Sequence, residues 1–230
     1  MHIYTAELRA LFNRHAKPGL AGPMRRYMRD QFPYLGVKSP VLGELMRKHY
    51  ARHALPVLVD LDTIARELWG LRQREFQYAA VSLLGMCEQE LPETFTTTLE
   101  FLLVNKSWWD TVDSLAAGTV AVHFRRYPRE RRKYLRRWRR SSNFWLRRTC
   151  ILFQLNYKRD TDFTLLTEII RENLDSEEFF INKAIGWALR QYSRVDADGV
   201  RRFVRETRLH PLSAREALKW LERRKAAQAG

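Results

Sequence analysis

The stretch Ser107-Trp108-Trp109-Asp110-Thr111-Val112-Asp113-Ser114 decides how this chain is read. Ser107 followed three residues later by Asp110 has the form of a capping box, so a helix is expected to open there. On such a helix Trp109 and Asp113 stand four apart and share one side. Phe144 follows Trp109 by 35 residues and Phe179 follows Phe144 by 35, each near an expected helix start. Asp113, Arg148 and Lys183 repeat the same interval four residues further on. A period of this length is that of two-helix repeats, which stack because one helix pair cannot bury its apolar side alone. The alternative is a compact bundle in which the spacing carries no meaning. In a stack, Asp113, Arg148 and Lys183 would form a polar ladder along one face, concave where the stack curves.

Outward from this stretch nearly every segment has helical periodicity. Apolar residues recur at three and four in Leu8, Leu11 and Phe12, in Ile64 and Leu68, in Val81 and Leu84, in Leu165 and Ile169, and in Ile185 and Leu189. Helix starts are expected at Ser39-Pro40, Pro92-Glu93, Ser107, Ser142, Ser176 and Ser213, the last with Glu216 as a second capping box. Strand-like alternation is missing, and Asp198-Gly199 falls inside a helical pattern rather than in a hairpin. The expectation is an all-α chain of roughly a dozen helices with short connections, stacked as helical hairpins. With no linker or low-complexity segment, residues 1–230 read as a single domain.

Forty-one Lys and Arg against 26 Asp and Glu leave a net charge of +15, which calls for an anionic partner. Nucleic acid is the commonest such partner, and the predominance of Arg suits bidentate phosphate contact. The bland reading is Arg scattered over solvated faces. Arg125 to Arg140 holds ten basic residues against Glu130 alone, and reads as one helix with Tyr134, Leu135 and Trp138 as its apolar stripe. Phosphate contact and a solvated outer face both remain open for it.

The two cysteines, Cys87 and Cys150, support neither a disulfide framework nor a Cys-rich metal site. His49 and His53 are four apart, but nothing near them in sequence completes a metal site, so they read as surface histidines and no metal or cofactor is expected. Phosphate-loop, dinucleotide-binding and nucleophile-elbow patterns are missing. The N-terminal residues lack the apolar core of a signal peptide, and the apolar run Leu115 to Val122 is too short to span a bilayer. A cytosolic protein without a membrane partner is expected. Catalysis, if any, must come from carboxylates and aromatics. Asp113 and Trp109 are the candidates, with Trp187 beside Gly186, a helical glycine that implies a close approach.

Four stretches then carry a resemblance: Lys106 to Ser114, Asn143-Phe-Trp-Leu-Arg-Arg148, Ile151-Leu-Phe-Gln154, and Glu178 to Arg190. With Arg26-Tyr-Met28, Tyr34-Leu-Gly36, Glu67-Leu-Trp69 and Arg74-Glu-Phe-Gln77, the chain resembles the AlkD-type DNA alkylation repair glycosylases over nearly its whole length. The resemblance implies a superhelix of HEAT-like repeats whose concave basic face grips duplex DNA and removes N3- and N7-alkylated purines, cationic ones especially. It implies that Asp113 is the catalytic carboxylate and that Trp109 and Trp187 contact the deoxyribose of the lesion, which stays stacked in the duplex. Arg148 matches a basic residue of the cleft, and Tyr27 and Arg190 match backbone contacts. Lys38 stands where some relatives carry Gln. Lys183, on the ladder, is the remaining expected DNA contact. A monomer is expected. The competing readings are a non-catalytic relative that binds damaged or branched DNA, and a helical scaffold for proteins.

Overall fold

The computed structural model describes residues 1–229, and among these no strand occurs. The helices are α1 (Ile3–Arg14), α2 (Pro18–Tyr27), α3 (Ser39–His53), α4 (Leu61–Gly70), α5 (Arg74–Met86), α6 (Thr96–Val104), α7 (Trp109–Leu115), α8 (Ala121–Arg126), α9 (Pro128–Trp138), α10 (Phe144–Leu152), α11 (Phe163–Arg171), α12 (Phe179–Tyr192), α13 (Ala197–Glu206) and α14 (Pro211–Ala229). Trp109, Phe144 and Phe179 are each the first residue of a helix. The period reaches further back than the aromatics indicated: α3 and α5 open at Ser39 and Arg74, again 35 residues apart and 35 before Trp109. The chain gathers into two compact units, Met1–Lys106 and Ser107–Gly230.

In the first unit α1 packs on α3 and α4, and α5 on α3 and α4. Leu8, Phe12, Met46, Ile64, Leu68, Phe76 and Leu83 are fully buried there, with Phe12 stacked on Phe76 at 5.7 Å. Glu75 is buried, and its carboxylate accepts the backbone N–H groups of Leu35, Gly36 and Val37 at 2.9–3.1 Å. Gly36 makes this loop possible, because at φ +89 its Cβ would lie 2.1 Å from the carbonyl oxygen of Lys17.

In the second unit α10 is central, packing on α7, α9, α11 and α12. Val112, Leu115, Phe124, Trp138, Leu152, Ile169 and Leu189 form its core. After α7 the chain runs through a π-helical turn, Ala116–Val120, with Gly118 at φ −107 and ψ −106. Two carbonyls of this stretch are taken up by side chains following α10: Asn156 Nδ2 donates to Ala117 O at 3.0 Å and the Tyr157 hydroxyl to Ala121 O at 2.6 Å. Such a bulge is sustained where its freed groups find partners, and it is a common device beside functional residues.

Several expected helix ends shift. The first α7 residue is Trp109, with Trp108 extended before it, so Ser107 does not cap the helix. Asn143 rather than Ser142 caps α10, its side-chain oxygen accepting Trp145 N–H at 2.9 Å. Glu178 rather than Ser176 caps α12. The Ser213–Glu216 capping box does not form, because α14 opens at Pro211, and Ser213 Oγ donates to Asn182 O at 2.9 Å. The basic run is not one helix. It breaks at Tyr127-Pro128, since proline has no N–H for a helix interior and starts α9 instead. Tyr134, Leu135 and Trp138 do bury, as the stripe predicts.

Gly186 marks a close helix crossing. A Cβ there would stand 2.5 Å from Glu216 Cβ and 2.9 Å from Ser213 O, so α12 and α14 meet backbone to backbone. Gly186→Ala gains about 1 kcal/mol of helix propensity but forces this crossing apart, an overpacking cost of about 1–3 kcal/mol. Urea denaturation is expected to report net destabilisation.

Candidate active site

Helix α7 turns Thr111, Val112 and Leu115 into the core and leaves Trp109, Asp110 and Asp113 at the half-exposed surface. The two adjacent indoles divide their tasks. Trp108 packs inward against Phe180, ring centroids 5.2 Å apart, and Trp145, 5.9 Å apart. Trp109 stays one turn before Asp113 on the outer side.

Asp113 is held by Arg148 of α10. Nε and Nη2 of the guanidinium donate to Oδ1 and Oδ2, both at 2.7 Å, a fork-to-fork pair. Nη1 donates to the carbonyl oxygen of Phe180 in α12, so one side chain ties three helices together. The Arg148 side chain is 3% exposed and that of Asp113 is 14% exposed. A guanidinium so enclosed cannot reach a phosphate without giving up Asp113. Burial pushes the Asp113 carboxyl above its usual range; Arg148 opposes this through its hydrogen bonds and charge, and Asp110 adds a small rise. The carboxylate has about four acceptor positions and Arg148 takes two, which leaves others for a ligand.

On α12, Phe180, Lys183, Trp187 and Arg190 are the partly exposed residues of one stripe. Lys183 and Arg190 flank Trp187, and both are held by the buried Glu216 of α14. Lys183 Nζ donates to Oε1 at 2.8 Å and Arg190 Nη1 to Oε2. Lys183, foremost, holds the Glu216 carboxyl below the usual carboxylate range. The ladder therefore exists but is not uniform: Asp113 pairs with Arg148, while Lys183 pairs with Glu216 instead of continuing the series. Sequence reasoning missed Glu216, having assigned it to a cap. The signal was present in its distance of 33 residues from Lys183, close to the repeat.

In the first unit Tyr27, 71% exposed, and Lys38 border one hollow of about 420 Å³ with Tyr34 and Tyr78. Tyr34 and Tyr78 share a hydroxyl hydrogen bond of 2.9 Å. Of the basic run, Arg125 pairs with Asp160 and Arg139 forks onto Glu172, whereas Arg129, Arg132 and Arg136 lie exposed on α9. The histidines need correction. His49 is buried rather than on the surface, and Glu7 of α1 lies against both it and His53. Burial lowers the His49 pKa. Among the described residues no helix is long and apolar enough to cross a membrane.

The chain belongs to the DNA alkylation repair enzyme family, whose sequence profile matches residues 8–221. Its fold is similar to the solved structure of a predicted DNA alkylation repair enzyme from Enterococcus faecalis, with a TM-score of 0.83 and 30% identity over 90% of this chain and 96% of that one. No curated protein matches the chain by sequence.

Arg148→Met would strand the Asp113 carboxylate in a partly buried site, and breaking such a pair costs about 3–5 kcal/mol. Urea denaturation near neutral pH is expected to report a loss at the low end of that range, since Asp113 keeps some exposure. Without the guanidinium the Asp113 pKa rises further, so the loss shrinks as pH falls and the carboxyl takes up its proton. Asp113→Asn in the same chain should remove most of the deficit.

Proposed function

We propose that this protein is a monofunctional DNA glycosylase that hydrolyses the N-glycosidic bond of N3- and N7-alkylated purines in duplex DNA, with residues 1–230 serving as one functional domain. The observation that carries the reading is the Asp113 carboxylate, fixed by two hydrogen bonds from Arg148 yet still 14% exposed, one helical turn after Trp109.

An N7-alkylguanine already bears positive charge, so its base departs neutral and no general acid is needed. Breaking the C1′–N9 bond leaves both electrons on the base and moves the positive charge to the sugar as an oxocarbenium ion. Asp113 stabilises that ion and orients the water whose oxygen bonds to C1′, with a water proton passing to the carboxylate or to solvent. At about 4 Å and an effective dielectric of about 20, one such contact is worth about 4 kcal/mol in Coulomb terms, an upper figure that Arg148 reduces. The indole faces of Trp109 and Trp187 add cation–π stabilisation of about 0.5–2 kcal/mol each. Arg148 keeps the carboxylate aimed and ionised. In this reading Lys183, Arg190, Tyr27 and Lys38 contact the DNA backbone, and Glu216 orients the first two. The lesion stays stacked while its sugar is contacted from outside, which confines the enzyme to bases that are already good leaving groups. The product, an abasic site, is the substrate of later steps of base excision repair.

The test is release of free base from duplex DNA carrying one 7-methylguanine. Asp113→Asn is expected to lower the single-turnover rate by about 10² or more while DNA binding persists. Because Asp113 must be ionised and burial raises its pKa, the rate should fall on the acid side at a higher pH than for an exposed aspartate. Neutral 1,N6-ethenoadenine should be released far more slowly. Salt-sensitive binding with no release by the unaltered protein would instead support the non-catalytic DNA binder.

A further inference from the structure

Helices α1 and α3 bring Glu7, His49 and His53 to the edge of one hollow of about 440 Å³ in the first unit. His49 and His53 are one turn apart on α3, with their rings stacked at a centroid distance of 4.6 Å. Glu7 Oε2 lies 3.9 Å from His49 Nε2 and 3.7 Å from His53 Nδ1. One donor atom from each residue lies within 4.8 Å of the others. These separations are too long for direct hydrogen bonds. A second observation stands apart from the clustering. His49 is 5% exposed, and its Nε2 is buried with no hydrogen-bond partner, while Tyr4 packs edge-on against the ring at 4.8 Å. A buried polar atom left unpaired is destabilising, and this one faces the carboxylate and the second imidazole.

We infer that Glu7, His49 and His53 form a binding site for a divalent transition ion of the zinc class, coordinated by two imidazole nitrogens and one carboxylate oxygen. Zn–N and Zn–O bonds of about 2.0–2.1 Å in a tetrahedron put ligand atoms about 3.4 Å apart. The Glu7 contacts at 3.7 and 3.9 Å need to close by about 0.3–0.5 Å for this geometry, and the two imidazole nitrogens, within 4.8 Å of each other, by up to about 1.4 Å through rotation of the exposed His53 side chain. His49 is the fixed ligand, whereas the Glu7 and His53 side chains are 37% and 45% exposed and free to adjust. A fourth position stays open to water from the hollow. Arg14, Lys48 and Arg52 border the same hollow, and Lys48 is engaged by Glu44 at 2.6 Å. Their charge repels any cation, so binding must draw on the covalent preference of imidazole nitrogen. That selects zinc-like ions over calcium and magnesium, which favour all-oxygen sites. The ion would staple α1 to α3, far in sequence from Asp113.

The experiment uses the full chain without an affinity tag, stripped of metal and titrated with Zn²⁺ against a chromophoric chelator. Co²⁺ serves as a spectroscopic substitute. The expected result is one Zn²⁺ per chain, Co²⁺ absorption of tetrahedral intensity, and a Zn²⁺-dependent rise in Tm. Glu7→Gln and His53→Ala alter exposed side chains and should fold, and each should weaken binding by at least about tenfold. His210→Ala should leave it unchanged. Absence of stoichiometric binding would mean that water alone satisfies His49 and would overturn the inference. So would binding that survives both variants, or equal binding of Mg²⁺. None of these readouts depends on glycosylase activity.

Discussion

The Asp113–Arg148 pair is the constraint on which the rest of the second unit depends. A guanidinium with 3% exposure must have its donors matched, and here α7 supplies two acceptors and α12 a third. This closes the space between α7, α10 and α12 and fixes the angle at which the carboxylate meets solvent. The aromatic cluster of Trp108, Trp145 and Phe180 packs around the same contact, excluding water and so strengthening it. A paired buried charge contributes less to net stability than its Coulomb energy suggests, because both groups lose their hydration. Its value is positional: the carboxylate has one orientation instead of several.

The same logic recurs one repeat later with the signs exchanged. Glu216 is the enclosed partner, 7% exposed, and Lys183 and Arg190 are the outer ones. The surface stripe of α12 thus carries two positioned cations around Trp187, whereas α7 carries a positioned anion beside Trp109. Gly186 is what lets Glu216 come so close, since any side chain at that position would meet it. In the reading proposed above, this face meets a ligand that is anionic along its length and cationic at one reacting centre.

Much of this was legible in the sequence because it rests on local rules. Helical periodicity and the 35-residue interval were read from spacing along the chain, whereas the break of the basic run at Pro128 was missed, although proline chemistry favours it. Helix ends were read less well at Ser107, Ser142, Ser176 and Ser213. A serine is a suitable cap only where the backbone around it is extended, and the surrounding packing decides that. Asn143 and Glu178, one and two residues away from expected caps, serve instead.

By itself the sequence determined an all-helical chain with a repeat of 35 residues, a strong positive charge, and Trp109 and Asp113 on one side of a helix. Those properties depend on residues near one another along the chain or on simple sums over it. Only the tertiary structure decided which ladder residues pair, turning Arg148 inward as the holder of Asp113 and assigning Lys183 to Glu216. It alone brought Glu7 to His49 and His53, across more than 40 residues of chain. Partner choice among charged and metal-binding side chains is set by which helix faces pack together, and that depends on the whole core at once.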